Sequence, residues 1–272
     1  VSISLRSIGP VMLLGAGKMG VALARGWLDA GLPPSNLLVV DPAPGPAAKD
    51  LAEDYGLTLN TGARGLHPNV LVLAVKPQIV DAVLETLAPV IGPNTLALSI
   101  AAGIDIARLS RGLGMGRVVR TMPNTPAQIG KGITGAVAGP EVSGHDRQVA
   151  ASLLNAAGPV LWFNDEPQLD IVTAISGSGP AYVFHLVEAL AAAGKKMGLP
   201  DNVADLLARQ TVIGSAALLE ADPAPPSALR QNVTSPNGTT AAGLAVLMEE
   251  LTPLIERTAD AARRRSEELG RS

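Results

Sequence analysis

Through residue 163 the apolar residues fall into short unbroken runs rather than an alternating pattern. V-M-L-L (11–14), L-L-V-V (37–40), V-L-V-L-A-V (70–75), T-L-A-L-S-I (95–100), V-V-R-T-M (118–122), I-T-G-A-V-A (133–138) and P-V-L-W-F (159–163) are separated by turn residues and helix-period segments. Those segments lie at 18–30, near 46–55, and at 78–88, 104–110 and 143–157. Strands apolar on both faces, alternating with helices, predict a parallel sheet covered on both sides. After about residue 166 the strand pattern stops. Helical stretches are expected at roughly 167–194, 200–221 and 238–269, rich in Ala, Gly and Leu, as in I-G-S-A-A-L-L (213–219). Small residues let helices approach closely, and a block this short holds little core of its own, so a second subunit is expected to complete it.

Composition sharpens this picture. Hydrophobic residues make up 47% of the chain and aromatics only 2%, with a mean hydropathy of +0.29. The apolar content is therefore small and aliphatic, as close helix packing and a large subunit interface require. A net charge of −3 with no basic stripe gives nucleic acid no electrostatic purchase. The absence of cysteine excludes disulfides, thiolate nucleophiles and thiolate metal sites, and suits the cytoplasm. No membrane span is expected. Gly15, Gly17 and Lys18 interrupt the first apolar run, and Ser176, Gly177, Gly179, Pro180, His185 and Glu188 break up 171–194.

The first strand runs into G-A-G-K-M-G (15–20), which opens a helix. Gly15 permits the tight turn, Gly17 lets the backbone approach a pyrophosphate, and Gly20 allows close helix–strand packing. The helix N-terminus adds free N–H groups and the positive end of its dipole. The fold class this predicts is an N-terminal Rossmann-type doubly wound sheet over residues 1–165, followed by an all-α domain over 166–272. Asp41 ends the second strand, where a carboxylate binds the adenine ribose hydroxyls of NADH and repels the 2′-phosphate of NADPH. It favours NADH and leaves NADPH open. Further strand ends carry A-V-K-P-Q (74–78), S-I-A-A-G (99–103) and M-P-N-T-P (122–126), all at the edge where such folds bind ligands. No nucleophile–base pair and no metal-ligand spacing is present, and His67, His145 and His185 are scattered. The chemistry therefore falls to a nicotinamide, with the protein supplying orientation and exclusion of water.

These motifs converge. G-A-G-K-M-G, A-V-K-P-Q, S-I-A-A-G-I (99–104), R-T-M-P-N-T-P (120–126), T-A-I-S-G-S-G-P-A-Y (173–182), K-M-G-L-P (196–200) and N-V-T-S-P-N-G-T-T (232–240) together resemble the pyrroline-5-carboxylate reductase family, in order and along essentially the whole chain. The resemblance implies reduction of the cyclic imine 1-pyrroline-5-carboxylate to L-proline by NADH or NADPH, the last step of proline synthesis. It also implies a helical dimerisation domain, and dimers that often assemble into larger rings. Gly15, Ala16, Gly17, Lys18, Met19 and Gly20 would bind pyrophosphate. Asn60, Ala74, Val75, Lys76 and Pro77 would lie toward the adenosine, and Ala101 and Asn124 would line the nicotinamide pocket. Ser235, Gly238, Thr239 and Thr240 would hold the substrate, while Ser176, Gly177 and Pro180 would shape the neighbouring wall. Thr240 and Ser235 are the candidate catalytic residues, Thr240 as a positioning group more than a proton donor. A small anionic imine suits hydroxyls and N–H groups at a helix start, and a protonated imine needs little acid assistance.

The chain departs from the family pattern in two places. D-P-A-P-G-P (41–46) lacks the polar or basic segment that receives a 2′-phosphate, and Asn237 replaces the first glycine of T-S-P-G-G-T-T. Asn tolerates positive φ better than other non-glycine residues, so the turn is expected to persist. Two other functions compete. A β-hydroxyacid dehydrogenase needs an acid/base lysine on the first helix after the nucleotide domain, but Lys195 and Lys196 come late on it. A non-catalytic NAD(P)-binding scaffold leaves the hydroxyl-rich loop 234–240 without a use.

Overall fold

The computed structural model describes residues 3–87 and 89–271. Eight strands form one sheet: β1 (Val11–Leu14), β2 (Leu37–Val40), β3 (Leu59–Asn60), β4 (Val70–Leu73), β5 (Leu96–Ser99), β6 (Val118–Met122), β7 (Thr134–Ala138) and β8 (Val160–Phe163). Their order is β3-β2-β1-β4-β5-β6-β7-β8. The central strand β1 is parallel to both neighbours, with Val11 opposite Leu37 on one side and Val70 on the other. Helices α1 (Lys18–Asp29), α2 (Pro46–Tyr55), α3 (Val80–Leu87), α4 (Ile106–Leu113) and α5 (Gly144–Asn155) connect the strands.

The period-two alternation within β1 explains the double winding. Val11 and Leu13 enter a core with Leu23, Trp27, Val39 and Leu153. Met12 and Leu14 face the opposite way, into a core with Leu71, Leu84, Leu87 and Leu109. Trp27 is fully buried and its indole N–H reaches the Leu153 carbonyl at 2.8 Å. That bond offsets the cost of taking the indole N–H out of water.

The expectation of a wholly parallel sheet needs one correction. β7 pairs antiparallel with β6, and β8 follows β7 in parallel. The β6–β7 link carries only a short 3₁₀ turn (Thr125–Ile129), whereas a parallel return needs a crossover of a dozen or more residues, usually helical. α5 supplies that crossover between β7 and β8. The two-residue strand β3 was not expected from the sequence, because L-N is too short for any periodicity to register.

The rest of the chain comprises α6 (Gln168–Val172), a π turn (Thr173–Gly177), α7 (Gly179–Lys196), α8 (Asp201–Ala221), α9 (Pro226–Asn232) and α10 (Thr239–Arg271). The helix expected at 167–194 is thus interrupted. The hydroxyls of Thr173 and Ser176 donate back to the carbonyls of Leu169 and Val172 and compete with the regular ladder there. α9 is a further addition: it opens with a proline in its first turn and is too short to show an apolar stripe.

Two compact units result. One holds the residues up to Ser178 together with 262–271, and the other holds 179–261. Within the helical unit α7 packs against α8, where a side chain on Gly194 would come within 3.2 Å of the Ala204 methyl. Its buried residues are small, chiefly Ala191, Gly194, Ala204 and Ala208, while Phe184, Leu206, Leu218 and Val246 are more than 60% exposed. No helix among the described residues is long and apolar enough to cross a membrane.

Candidate functional site

At the carboxyl edge of the sheet, between β1 and β4, the chain changes winding direction, and a crevice opens there in folds of this type. The glycine loop occupies it. Gly15 has φ +95° and sits so close to β4 that a Cβ would lie 2.6 Å from the Ala74 carbonyl oxygen. A Cβ on Gly20 would fall 2.2 Å from the Gly15 carbonyl oxygen, so helix and strand close on each other only with glycine at both positions. Gly17 differs: nothing lies within 4 Å of its would-be Cβ, so the space beside it is open. α1 begins at Lys18 with no side chain capping its N–H groups. An uncapped helix start beside a glycine with free space is what a pyrophosphate needs.

Asp41 follows β2 directly and makes contacts of its own. One carboxylate oxygen accepts the Ala16 N–H at 2.8 Å, and the other accepts the Ala43 N–H at 2.8 Å. It therefore ties the glycine loop to the Pro-rich loop, a role the sequence motif did not suggest. Its backbone N–H donates to the carbonyl of Asn60 on β3, whose side-chain amide donates in turn to Val39 O. Ala74 and Val75 follow β4, Lys76 precedes the 3₁₀ turn that opens with Pro77, and Lys76 is exposed. Ala101 is buried after β5. Asn124 lies beyond β6, and its side-chain oxygen accepts the Ile133 N–H at 2.9 Å, pinning the short turn before β7.

Ser176 and Gly177 lie on the π turn, and a side chain at Gly177 would collide with the Met122 methyl at 2.6 Å. The remaining expected residues belong to the helical unit. Pro180 stands in the first turn of α7. Ser235–Gly238 form a turn closed by the Gly238 N–H donating to Ser235 O at 3.0 Å, and Thr239 and Thr240 open α10. Ser235, Thr239 and Thr240 are exposed. Asn237 has φ +59° and is the single non-glycine residue at positive φ among those described. The expected cofactor residues, with Ser176 and Gly177, thus share the dinucleotide unit. The candidate substrate residues 180 and 235–240 share the other.

Lys195, one of the two lysines weighed for a β-hydroxyacid dehydrogenase reading, lies 2.8 Å from Asp205. That hydrogen bond holds its ammonium above the ordinary lysine range. A lysine kept charged in this way is poorly suited to exchanging protons near neutrality.

A glycine loop opening a helix at the switch point of a doubly wound sheet, followed in the chain by an all-helical region, defines a nicotinamide-dinucleotide oxidoreductase. A family model described as pyrroline-5-carboxylate reductase dimerisation matches residues 166–269, and one described as NADP oxidoreductase, coenzyme F420-dependent, matches 10–103. The chain is 41% identical to the pyrroline-5-carboxylate reductase of Pseudomonas aeruginosa, over 95% of this chain and 96% of that one. It is 36% identical to that of Arabidopsis thaliana, over 96% of each. Among solved structures, the pyrroline-5-carboxylate reductase of Coxiella burnetii superposes with a TM-score of 0.90 at 33% identity, covering 98% of this chain and all of that one. The Plasmodium falciparum enzyme, solved with NADP bound, gives 0.82 at 30% identity, covering 97% and 99%. The chain belongs to the pyrroline-5-carboxylate reductase family.

Proposed function

We propose that this protein reduces 1-pyrroline-5-carboxylate to L-proline, with NADH or NADPH as hydride donor. The observation that carries the reading is the turn at 235–238. Asn237 holds positive φ where the family pattern has glycine, and the turn hands the chain directly to a helix start flanked by three hydroxyls. The bound nicotinamide would supply the hydride, which adds to the carbon of the protonated imine while the C=N electron pair moves to nitrogen. The chain's own residues bind and orient. Gly15–Gly20 and the start of α1 take the pyrophosphate, with Ala16, Lys18 and Met19 in the same loop. Asn60 and Ala74–Pro77 lie toward the adenosine, and Ala101 and Asn124 toward the nicotinamide. Ser235, Gly238, Thr239 and Thr240 hold the carboxylate and ring, and Ser176, Gly177 and Pro180 are the remaining candidate substrate residues. Thr240 and Ser235 are the candidate catalytic residues, Thr240 positioning the imine more than transferring protons to it.

The finer assignments belong to the same proposal. Asp41 supports NADH as the preferred donor, because at about 4 Å a carboxylate and a 2′-phosphate repel by roughly 4 kcal/mol at an effective dielectric near 20. The match at 166–269 to a dimerisation model and the exposed apolar side chains of the helical unit support a homodimer, and rings of dimers extend the same reading. We divide the chain functionally at 165/166 and place it in the cytoplasm. The test is oxidation of NADH and of NADPH with 1-pyrroline-5-carboxylate, with the product identified as proline. Turnover with at least one donor is expected, and none with either would overturn the proposal.

A further inference from the structure

Arg120 is a charge that neither the dinucleotide loop nor the substrate turn uses, and it lies buried in the middle of β6 at 6% exposure. Two carboxylates from the segment after β8 flank it. Its Nη1 lies 3.1 Å from Glu166 Oε1, and its Nη2 lies 3.5 Å from Asp170 Oδ1. Each carboxylate reaches on to another element. Glu166 Oε1 accepts the N–H of Ile106, the first residue of α4, at 2.8 Å. Asp170 Oδ1 accepts the hydroxyl of Ser266, near the end of α10, at 2.7 Å. The backbones meet there as well. A side chain on Gly270 would lie 2.9 Å from the Gly103 carbonyl oxygen, and one on Gly103, at φ +76°, would meet Leu269 at 3.1 Å. All of these residues belong to the dinucleotide unit.

What they enclose is the loop 101–105 between β5 and α4. It is held at its entry by the Ser99 hydroxyl, which accepts the Ala101 N–H at 3.3 Å, and at its exit by Glu166 on the first N–H of α4. A buried ion pair contributes little net stability compared with apolar residues of the same volume. A satisfied buried network instead fixes geometry, because each member has one set of partners.

We propose that Arg120, Glu166, Asp170 and Ser266 form a positioning relay that sets loop 101–105 against the nicotinamide ring. The proposal rests on the reading of Ala101 as a wall of the nicotinamide pocket. None of the four is a catalytic residue; they act through the loop. A reacting pair displaced by about 1 Å loses up to roughly 10²-fold in rate, so small shifts of this wall register in turnover.

The test uses the full chain with Glu166→Gln and Ser266→Ala. The first keeps an acceptor for the Ile106 N–H but removes the charge, and the second deletes a single hydroxyl. Four quantities are measured: kcat and KM, Tm, affinity for ADP-ribose, and the fluorescence of bound NADH, which reports the surroundings of the nicotinamide. In both variants ADP-ribose affinity is expected to stay within about twofold, since that half of the ligand lies away from the loop. Bound-NADH fluorescence is expected to change, and kcat to fall by about tenfold in Glu166→Gln with a smaller fall in Ser266→Ala. A lowered Tm with wild-type kcat and wild-type NADH fluorescence would overturn the relay and leave the four residues purely structural. If the wild type binds NADH but does not reduce the imine, the reaction assigned above fails, and the fluorescence arm still decides the relay.

Discussion

Asn237 shows how much one backbone angle constrains. At φ +59° a β-branched side chain is strained, and such a conformation costs on the order of 1–3 kcal/mol. Asn237→Gly is therefore expected to leave KM for the imine near wild type. Asn237→Val is expected to raise it several-fold, or to lower Tm, as steady-state kinetics and thermal melts would show. Asp41 is a second residue whose effect is divided, because its carboxylate holds the Ala16 and Ala43 N–H groups besides the proposed part in cofactor choice. Asp41→Ser is expected to weaken binding of both cofactors while shifting the kcat/KM ratio toward NADPH by about tenfold, a third of the calculated repulsion being enough for that. An unchanged ratio would remove Asp41 as the discriminator.

At the scale of elements, the start of α5 is one place where pH acts on stability. Asp146 is buried at the helix N-terminus and forms a capping box with Ser143. Burial works against its charge, but the hydrogen bonds from Arg117 and from the Ser143 N–H and hydroxyl outweigh it and hold its pKa below the ordinary 3.8. A carboxyl with a lowered folded pKa stabilises fully above its unfolded pKa, and that contribution disappears as pH falls through the folded value. Wild-type Tm is thus expected to drop as pH falls below the ordinary carboxylate range, and Asp146→Asn to flatten that drop while lowering Tm at pH 7. Melts across a pH series would check both. The same scale shows what could be read from the sequence. Strands β1, β2 and β6 and the glycine loop were legible because apolar runs and glycine turn chemistry are local. The reversal at β7 was not, since strand direction depends on the length of a connection rather than on any residue in it. Nor was the relay around Arg120, whose members come together only after three separate elements have packed.

The whole molecule carries an imbalance between its units. The dinucleotide unit buries large side chains on both faces of its sheet, whereas the helical unit buries mostly alanine and glycine and leaves Phe184, Leu206 and Leu218 exposed. Large apolar side chains left exposed in this number point to an interface, in keeping with the match to a dimerisation model. Leu206→Asp is expected to shift the protein toward monomer in light scattering at micromolar concentration. The wild-type Tm is expected to rise with protein concentration, as it must when association stabilises the fold. A concentration-independent Tm would mean that the helical unit is stable by itself.

The route of α10 sets an order of events during synthesis. Its residues 262–271 belong to the dinucleotide unit, yet the ribosome makes them only after the whole of 179–261. At about 5–20 residues per second, that delay is on the order of ten seconds. Throughout it, Asp170 waits for the Ser266 hydroxyl and Gly103 for its contact with Gly270. The nascent first unit is thus a nucleotide domain with one wall missing, and it is finished only by the strand of chain that has already built the second.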